Sequence, residues 1–166
     1  MGPTPTSPEF ERPRAIDTIL LGGSLAGALL VVDEIVVFTA QARDPIETLQ
    51  YVASGLIGDE AFSGGYETAA LGVAFHFLIA FMTAAAYYEA SRVLPALYRQ
   101  PLLWGPVFGA GVYFVMNYAV VPLTAAPRVP FSWGLLINGV VGHALLVGLP
   151  IALMTSRSAH SHRRRF

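Results

Sequence analysis

The sequence predicts an all-α integral membrane protein with four transmembrane helices, and three observations lead to this fold class. Apolar residues make up 54% of the 166 residues and charged residues only 13%, with a mean hydropathy of +0.56, which is far from the composition of a water-soluble domain. The apolar residues form four long runs, and a helix needs about 20 such residues to cross a bilayer. The polar residue at every second position that is typical of a transmembrane β-barrel is absent from these runs.

The predicted spans cover about residues 16–40, 69–88, 103–123 and 133–154. Between the first two we expect a short external amphipathic helix over about 45–57, with Asp44 as its N-cap and Pro45 as its first residue. Gly55 or Gly58 should end this helix. The pattern indicates a helix on the outer membrane surface that covers the end of the bundle or acts as a lid over a site. Its apolar residues recur at helical spacing, at Ile46, Leu49, Val52, Ala53 and Leu56.

The arginines predict the orientation, because every one of the ten basic residues is Arg and cytoplasmic loops carry an excess of positive charge. Only Arg43 and Arg128 fall on the side opposite the termini, so both termini should be cytoplasmic. Residues 1–14 are then a disordered cytoplasmic tail without the features of a cleaved signal peptide. Residues 156–166 are a basic cytoplasmic tail, interpreted as a topology determinant rather than a nucleic-acid site. The other eight arginines share the cytoplasmic side: Arg12, Arg14, Arg92, Arg99, Arg157, Arg163, Arg164 and Arg165.

An internal repeat relates the two halves of the chain. Residues 72–78, GVAFHFL, and residues 139–145, GVVGHAL, share the frame G-V-x-x-H-x-L. The first helix of each half carries a glycine pair at four-residue spacing. Two tandem helical hairpins, related by a pseudo-two-fold axis along the membrane normal as a parallel repeat, would give this pattern. The helix-packing positions are then Gly23, Gly27, Gly72, Gly105, Gly109 and Gly139.

A layer of polar side chains lies within the spans, at about 10 to 15 Å below the outer boundary when depth is counted at 1.5 Å per residue. Its members are Asp33, His76, Asn117 and His143, one from each span, and Glu34 adjoins Asp33. Successive helical residues face about 100° apart, so we expect at most one of the two carboxylates to point fully inward. Ionisable groups at this depth are costly and usually face the bundle interior or a wet cavity. These five residues form the candidate intramembrane site.

Several chemistries fit this layer, and interhelical hydrogen bonding without any ligand fits it equally well. A carboxylate beside His76 can form a proton or cation site. His76, His143 and a carboxylate have the donor types of a three-ligand zinc or iron site, and the two histidines could also hold a haem. We expect no cofactor, with a metal or haem as the alternatives. The absence of Cys excludes disulfides and thiolate sites, and no enzyme motif supplies a catalytic residue.

Three blocks of sequence carry a resemblance to a known group. GGYETAALGVAFHFLIAF, GPVFGAGVYFVMNYAVVPLTAAPRVP and GHALLVGLPIALM resemble those of small bacterial inner-membrane proteins with four helices, broadly of the YagU type. The similarity covers about residues 15–155. It implies a four-helix inner-membrane protein and brings no activity, cofactor or site residue with it.

Two functions from different classes remain open on these observations. The first is a scaffold or accessory subunit without catalytic activity, which would assemble through its glycine faces with a second copy or with a partner in a membrane complex. The second is a membrane protein that binds a small ligand, an ion or proton, a metal or a haem through the polar layer. In both, the lipid bilayer is the main partner and no nucleic acid is expected.

Overall fold

A computed structural model describes residues 13–160 of the chain. All regular secondary structure in this part is helical, and five short segments of 3₁₀- or π-helix interrupt or extend the α-helices. Helix α1 consists of a π-helical segment, Asp17–Gly22, and an α-helix, Gly23–Thr39; α2 is Pro45–Ile57, followed by a 3₁₀ turn, Gly58–Ser63; α3 is Gly65–Val93; α4 is Ala96–Arg99. Helix α5 joins Pro101–Val115, a π segment Met116–Val120 and a 3₁₀ turn Val121–Leu123; α6 joins Trp133–Gly142, a π segment His143–Gly148 and Leu149–His160.

Helices α1, α3, α5 and α6 are long and apolar enough to cross a membrane, over Asp17–Thr39, Gly65–Val93, Pro101–Leu123 and Trp133–Ala159. The predicted all-α class with four spans is therefore confirmed. Large apolar side chains on the outside of these helices stay exposed, among them Val36, Met82 and Val115 at 57 to 64%. Side chains of this kind belong in lipid rather than in water, so this is a membrane protein in contact with the bilayer.

The predicted tails lie mostly outside the described residues, and the parts that are described are ordered against the bundle. Pro13 is buried, and the Arg14 amide donates a hydrogen bond to Ser158 Oγ at 3.1 Å. Helix α6 continues to His160, so residues 156–160, which we expected in the C-terminal tail, are helical. The Ser158 hydroxyl in turn donates to Thr155 O within the last turns of α6, which supports the helix beyond the predicted span end.

The spans pack in the order α3, α1, α6, α5, so that α1 lies between α3 and α6. Small residues allow the close approaches. A Cβ atom on Gly27 would meet the Phe77 ring of α3 at 2.9 Å, and one on Gly22 would lie 3.4 Å from the Ile151 backbone of α6. Helices α3 and α5 pack sparsely against each other.

Backbone contact between α5 and α6 is closer still. A Cβ on Gly105 would lie 3.0 Å from Gly148 O, and one on Gly109 would collide with His143 O. Gly148 in turn faces the backbone of both Gly105 and Gly109. These positions admit only glycine because no other residue lets two helix backbones meet.

Two ends of the bundle are distinguished by what covers them. The capped end carries α2 and the loop from Thr124 to Ser132, and the terminal end carries α4 and both ends of the described chain. The packed core lies in the half near the terminal end, where Tyr87 and Ile151 are fully buried and Tyr87 Oη donates to Leu97 O at 2.9 Å. The half near the capped end is more open, and it holds the polar layer.

The π segments of α5 and α6 each end two residues before a proline. Met116–Val120 is followed by Pro122, and His143–Gly148 by Pro150. Proline has no backbone N–H and its ring crowds the preceding turn, so the helix changes its hydrogen-bond register there. Such segments often occur at functional sites, and Asn117 and His143 of the polar layer lie in these two.

Candidate functional site

A cavity of about 530 Å³ lies between the four spans in the half near the capped end. Ala26 of α1 and Val147 of α6 line its deep side, and α2 and the α5–α6 loop form its roof, with Tyr51 and Thr124 in the lining. The cavity brings together all five members of the predicted layer: Asp33, Glu34, His76, Asn117 and His143.

Both carboxylates line the cavity, in contrast to our expectation that at most one would face inward. The reason is the central position of α1, which packs against α6 on one side and α3 on the other. Adjacent helical residues diverge by about 100°, so Asp33 reaches toward α6 while Glu34 reaches toward α3. The cavity occupies the angle between these two directions.

Asp33 binds across to α6 through a residue that the sequence reasoning missed. Asn138 Nδ2 donates to Asp33 Oδ2 at 3.0 Å, and a Cβ on Gly142 would lie 3.1 Å from the same oxygen. Asn138 is the only amide in the apolar run LLINGVVGH, so it carries the same sequence signal as Asn117, an amide within a predicted span. It was missed because one polar residue was assigned to each span, whereas α6 contributes two.

His76 is buried, at 7% exposure, and both of its ring nitrogens face protein oxygens. Nε2 lies 2.9 Å from Gly27 O, and Nδ1 lies 3.8 Å from Glu34 Oε2. A carbonyl oxygen only accepts, so Nε2 carries a proton and donates it to Gly27. Nδ1 is directed toward the Glu34 carboxylate of α1.

His143 has a different environment from His76. Its Nδ1 donates to Gly139 O, one turn earlier in the same helix, at 2.9 Å, and its ring meets the Tyr113 ring edge-on at 5.4 Å between centroids. With Nδ1 donating to the helix, Nε2 is the lone-pair nitrogen, and His143 is one of the residues that line the cavity. His143 can therefore accept a hydrogen bond from a ligand.

Asn117 is the most exposed member of the layer. Its Nδ2 donates to Tyr113 O of its own helix at 3.0 Å, which leaves the amide oxygen as an acceptor. Among the described residues Asn117 forms no hydrogen bond to another span. It lines the cavity without joining two helices.

The three-ligand metal arrangement considered for His76, His143 and a carboxylate is not formed. In residues 13–160, no group of three His, Asp or Glu side chains is placed to hold a metal ion. At His76 the physical reason is clear, because Nε2 must stay protonated to bind Gly27 O and Nδ1 faces Glu34. The same two contacts make His76 unsuited to the axial position of a haem, which requires a ring nitrogen facing the iron.

Helix α2 is held over the cavity by polar contacts on two sides. Gln50 Nε2 donates to Gly65 O at 2.9 Å at the start of α3. Toward the α5–α6 loop, Tyr51 Oη donates to Pro127 O at 3.2 Å, and Ala125 N donates to Gly55 O at 3.1 Å. The helix ends as expected of a glycine, with Gly58 at φ 65°.

The buried face of α2 contains Ala53 of its predicted apolar set, and polar residues are buried beside it. Gln50 and Ser54 are almost fully buried, at 2% and 0% exposure, whereas Leu56 is 62% exposed. The difference follows from the neighbours of α2, which presents its hydrogen-bonding side to α3 and the loop. Burial also raises the pKa of Tyr51 above its ordinary value, with Arg43 opposing this effect and Glu34 adding to it.

Each glycine predicted to pack helices has a close neighbour in another part of the fold. Gly23 faces Phe81 and Gly139 faces the Tyr113 ring. A Cβ on Gly72 would collide with Leu49 O of α2, so this glycine seats the roof helix on α3. The glycines therefore mediate contacts between helices of the same chain.

Comparison with known proteins adds no assignment, since no family model, no curated protein and no solved structure matches this chain. The resemblance to the YagU type therefore stays a prediction.

Proposed function

We propose that this protein binds a small ligand within the membrane, in the cavity between its four spans. The single observation that carries the proposal is the gathering of ionisable and amide side chains from all four spans around one cavity of about 530 Å³. This size falls within the range of about 300 to 1,000 Å³ that is usual for small-molecule sites. Polar groups at this depth carry a cost in stability, which a binding role explains.

The glycine contacts favour this function over the scaffold considered from the sequence. A scaffold of that kind would use its glycine faces to bind a partner helix. Gly23 and Gly27 face phenylalanines of α3, and Gly105 and Gly109 face the backbone of α6. These faces are already occupied within one chain, whereas the cavity is not filled by side chains.

The finer description of membrane and orientation belongs to the same proposal. The four-span arrangement of the sequence assigns eight of the ten arginines to the side of the termini, which supports an inner-membrane protein with both termini in the cytoplasm. The cavity then lies in the periplasmic half, with α2 at the outer surface. A C-terminal alkaline phosphatase fusion should be inactive and a C-terminal fluorescent protein should fluoresce; an active phosphatase would contradict this orientation.

The tandem-hairpin relation is supported by one shared contact. In each hairpin the second glycine of the pair lies against the histidine of the following span, since Gly27 O binds the His76 ring and a Cβ on Gly109 would meet His143 O. The halves diverge elsewhere, because α1 packs on α6 while α3 and α5 pack sparsely. We propose a duplicated hairpin whose two copies have become structurally unequal.

Binding can be tested with a single reporter cysteine, because the chain has none of its own. Thr83→Cys places a thiol in the cavity lining, and Met82→Cys places one at the adjacent position, where the side chain is 64% exposed on the outside of the bundle. Purified protein in detergent is treated with methyl methanethiosulfonate. We expect 1-hexanol or hexylammonium to slow the reaction at position 83 without slowing it at position 82.

A third variant, Ser63→Cys, lies in an exposed turn and controls for consumption of the reagent by the probes. A reactive thiol at position 83 that neither probe protects would overturn the proposed function. A thiol at position 83 that is as slow as one at position 82 would also contradict it, because the cavity would then be closed to a small reagent.

A further inference from the structure

We propose that the ligand is a small primary amine in its protonated form, whose ammonium group binds at the polar layer and whose apolar body points toward Ala26 and Val147. This inference rests on the proposed function and names the chemical class that the same cavity takes. Its basis is the pairing of donors and acceptors around the cavity, together with the distribution of charge.

The donor nitrogens of the layer are already bound to protein oxygens. His76 Nε2 donates to Gly27 O and His143 Nδ1 donates to Gly139 O, each at 2.9 Å. The side-chain amides of Asn117 and Asn138 donate to Tyr113 O and to Asp33 Oδ2, each at 3.0 Å. What the cavity offers to a ligand is therefore mainly acceptors.

Three acceptors come from different directions. Asp33 accepts from Asn138 through Oδ2, which leaves Oδ1 available, and His143 presents Nε2. Glu34 faces the same space, with its side chain 30% exposed. A primary ammonium group has three N–H donors and no acceptor, so it matches an acceptor-rich site of this kind, whereas a carboxylate ligand would meet like charge.

The charges in the lining also favour a cation. Asp33 forms no ion pair with any side chain between residues 13 and 160, and its partner Asn138 is neutral. Arg128 is the single arginine in the lining, and it lies in the exposed loop of the roof. An intramembrane carboxylate is stabilised by a positive partner, and a bound ammonium group would supply one.

The deep side of the cavity suits an apolar body. Ala26, Ala80, Val112 and Val147 line it, one from each span. Ala26 lies seven residues from Asp33 along α1, which is about 10 Å at 1.5 Å per residue. This depth accommodates a short alkyl chain below an ammonium group held at the polar layer.

The test compares three six-carbon probes that differ only in the head group, which are hexylammonium, 1-hexanol and hexanoate, by protection of Thr83→Cys from methyl methanethiosulfonate. We expect hexylammonium to protect at about a tenfold lower concentration than 1-hexanol, as a charge-assisted hydrogen bond allows, and hexanoate to protect least. Asp33→Asn and Glu34→Gln should each reduce the advantage of the amine. Asp59→Asn, an exposed acid outside the lining, should leave it unchanged.

The outcomes separate this inference from the proposed function. Equal protection by 1-hexanol and hexylammonium would overturn the amine while leaving ligand binding in place. An amine advantage that survives in both Asp33→Asn and Glu34→Gln would overturn it as well. The neutral variants keep the shape of the carboxylates, and a thermal unfolding transition like that of the unsubstituted protein shows that each has folded. Protection by none of the three probes would overturn both proposals.

Discussion

Asp33 of α1 and Asn138 of α6 are joined by a hydrogen bond of 3.0 Å inside the membrane-spanning part of the protein. Interhelical hydrogen bonds in membrane proteins contribute about 0.6 to 2 kcal/mol. The bond holds two spans together and sets the orientation of the carboxylate that we place at the centre of the site.

The energy of this bond can be measured by a double-mutant cycle. Asp33→Leu and Asn138→Leu are expected to show a coupling of about 1 kcal/mol in the free energy of unfolding. The same cycle with Asp33→Leu and Asn117→Leu is the matched control, since Asn117 binds only its own helix, and its coupling should be close to zero. Equal couplings in the two cycles would contradict the geometry.

The two histidines should differ in their importance for stability. His76→Ala removes a bond between α3 and α1 and leaves Glu34 without its neighbour, so we expect a loss of about 2 to 3 kcal/mol. His143→Ala removes a bond within one helix, and the loss should be about 1 kcal/mol or less. Thermal unfolding in detergent measures both, and a larger loss for His143 would contradict the assignment. In His143→Ala, hexylammonium should also lose part of its advantage over 1-hexanol in protecting Thr83→Cys, because His143 Nε2 is one of the acceptors proposed for the ammonium group.

Two glycines inside spans should respond oppositely to an added methyl group. Gly72→Ala places a Cβ against Leu49 O, so it should displace α2 and cost about 1 to 3 kcal/mol. Gly111→Ala meets nothing within 4 Å, and replacing glycine within a helix should then stabilise the protein by up to about 1 kcal/mol. Unfolding midpoints of the two variants provide the comparison, and similar shifts in the same direction would show that α2 is not seated on Gly72.

The roof helix should loosen when its bond to the α5–α6 loop is removed. Tyr51→Phe deletes the donor to Pro127 O, and a loss of about 1 kcal/mol should raise hydrogen exchange in α2 about fivefold. Tyr66→Phe, at a side chain that is 80% exposed, is the control and should leave the exchange unchanged. An unaltered rate in Tyr51→Phe would show that the bond does not hold the roof.

The same bond gives a pH dependence with a defined sign. Only the protonated phenol donates, and burial raises the pKa of Tyr51. The stabilisation should therefore be fully present below the ordinary tyrosine pKa of about 10 and be lost as the pH rises through the raised value. The reaction rate of the thiol in Thr83→Cys reports opening of the roof, and the rate in Ser63→Cys corrects it for ionisation of the thiol. The corrected rate should stay constant up to about pH 10. An opening near neutral pH would contradict this prediction.

The number of spans and the level of the polar layer could be read from the sequence, because both depend on counting residues along single helices. The neighbours of each helix could not be predicted from the sequence. Whether Glu34 faces the cavity depends on α1 lying between α3 and α6, and a pattern of apolar runs does not encode that order. The burial of Gln50 and Ser54 in α2 could not be predicted for the same reason, since it depends on protein contacts that the hydrophobic spacing within α2 does not contain.

The packing order α3–α1–α6–α5 is that of an incomplete ring. Three of its helix–helix interfaces are closely packed, and the fourth, between α5 and α3, is a sparsely packed gap. Helix α2 packs on α3 and is hydrogen-bonded to the loop that follows α5. The bonds of Tyr51 to Pro127 and of Ala125 to Gly55 therefore connect the α3 side of this gap to the α5 side. Breaking these two hydrogen bonds would let α3 and α5 move apart while every glycine-mediated contact stays intact. The cavity could then widen without unfolding of the protein.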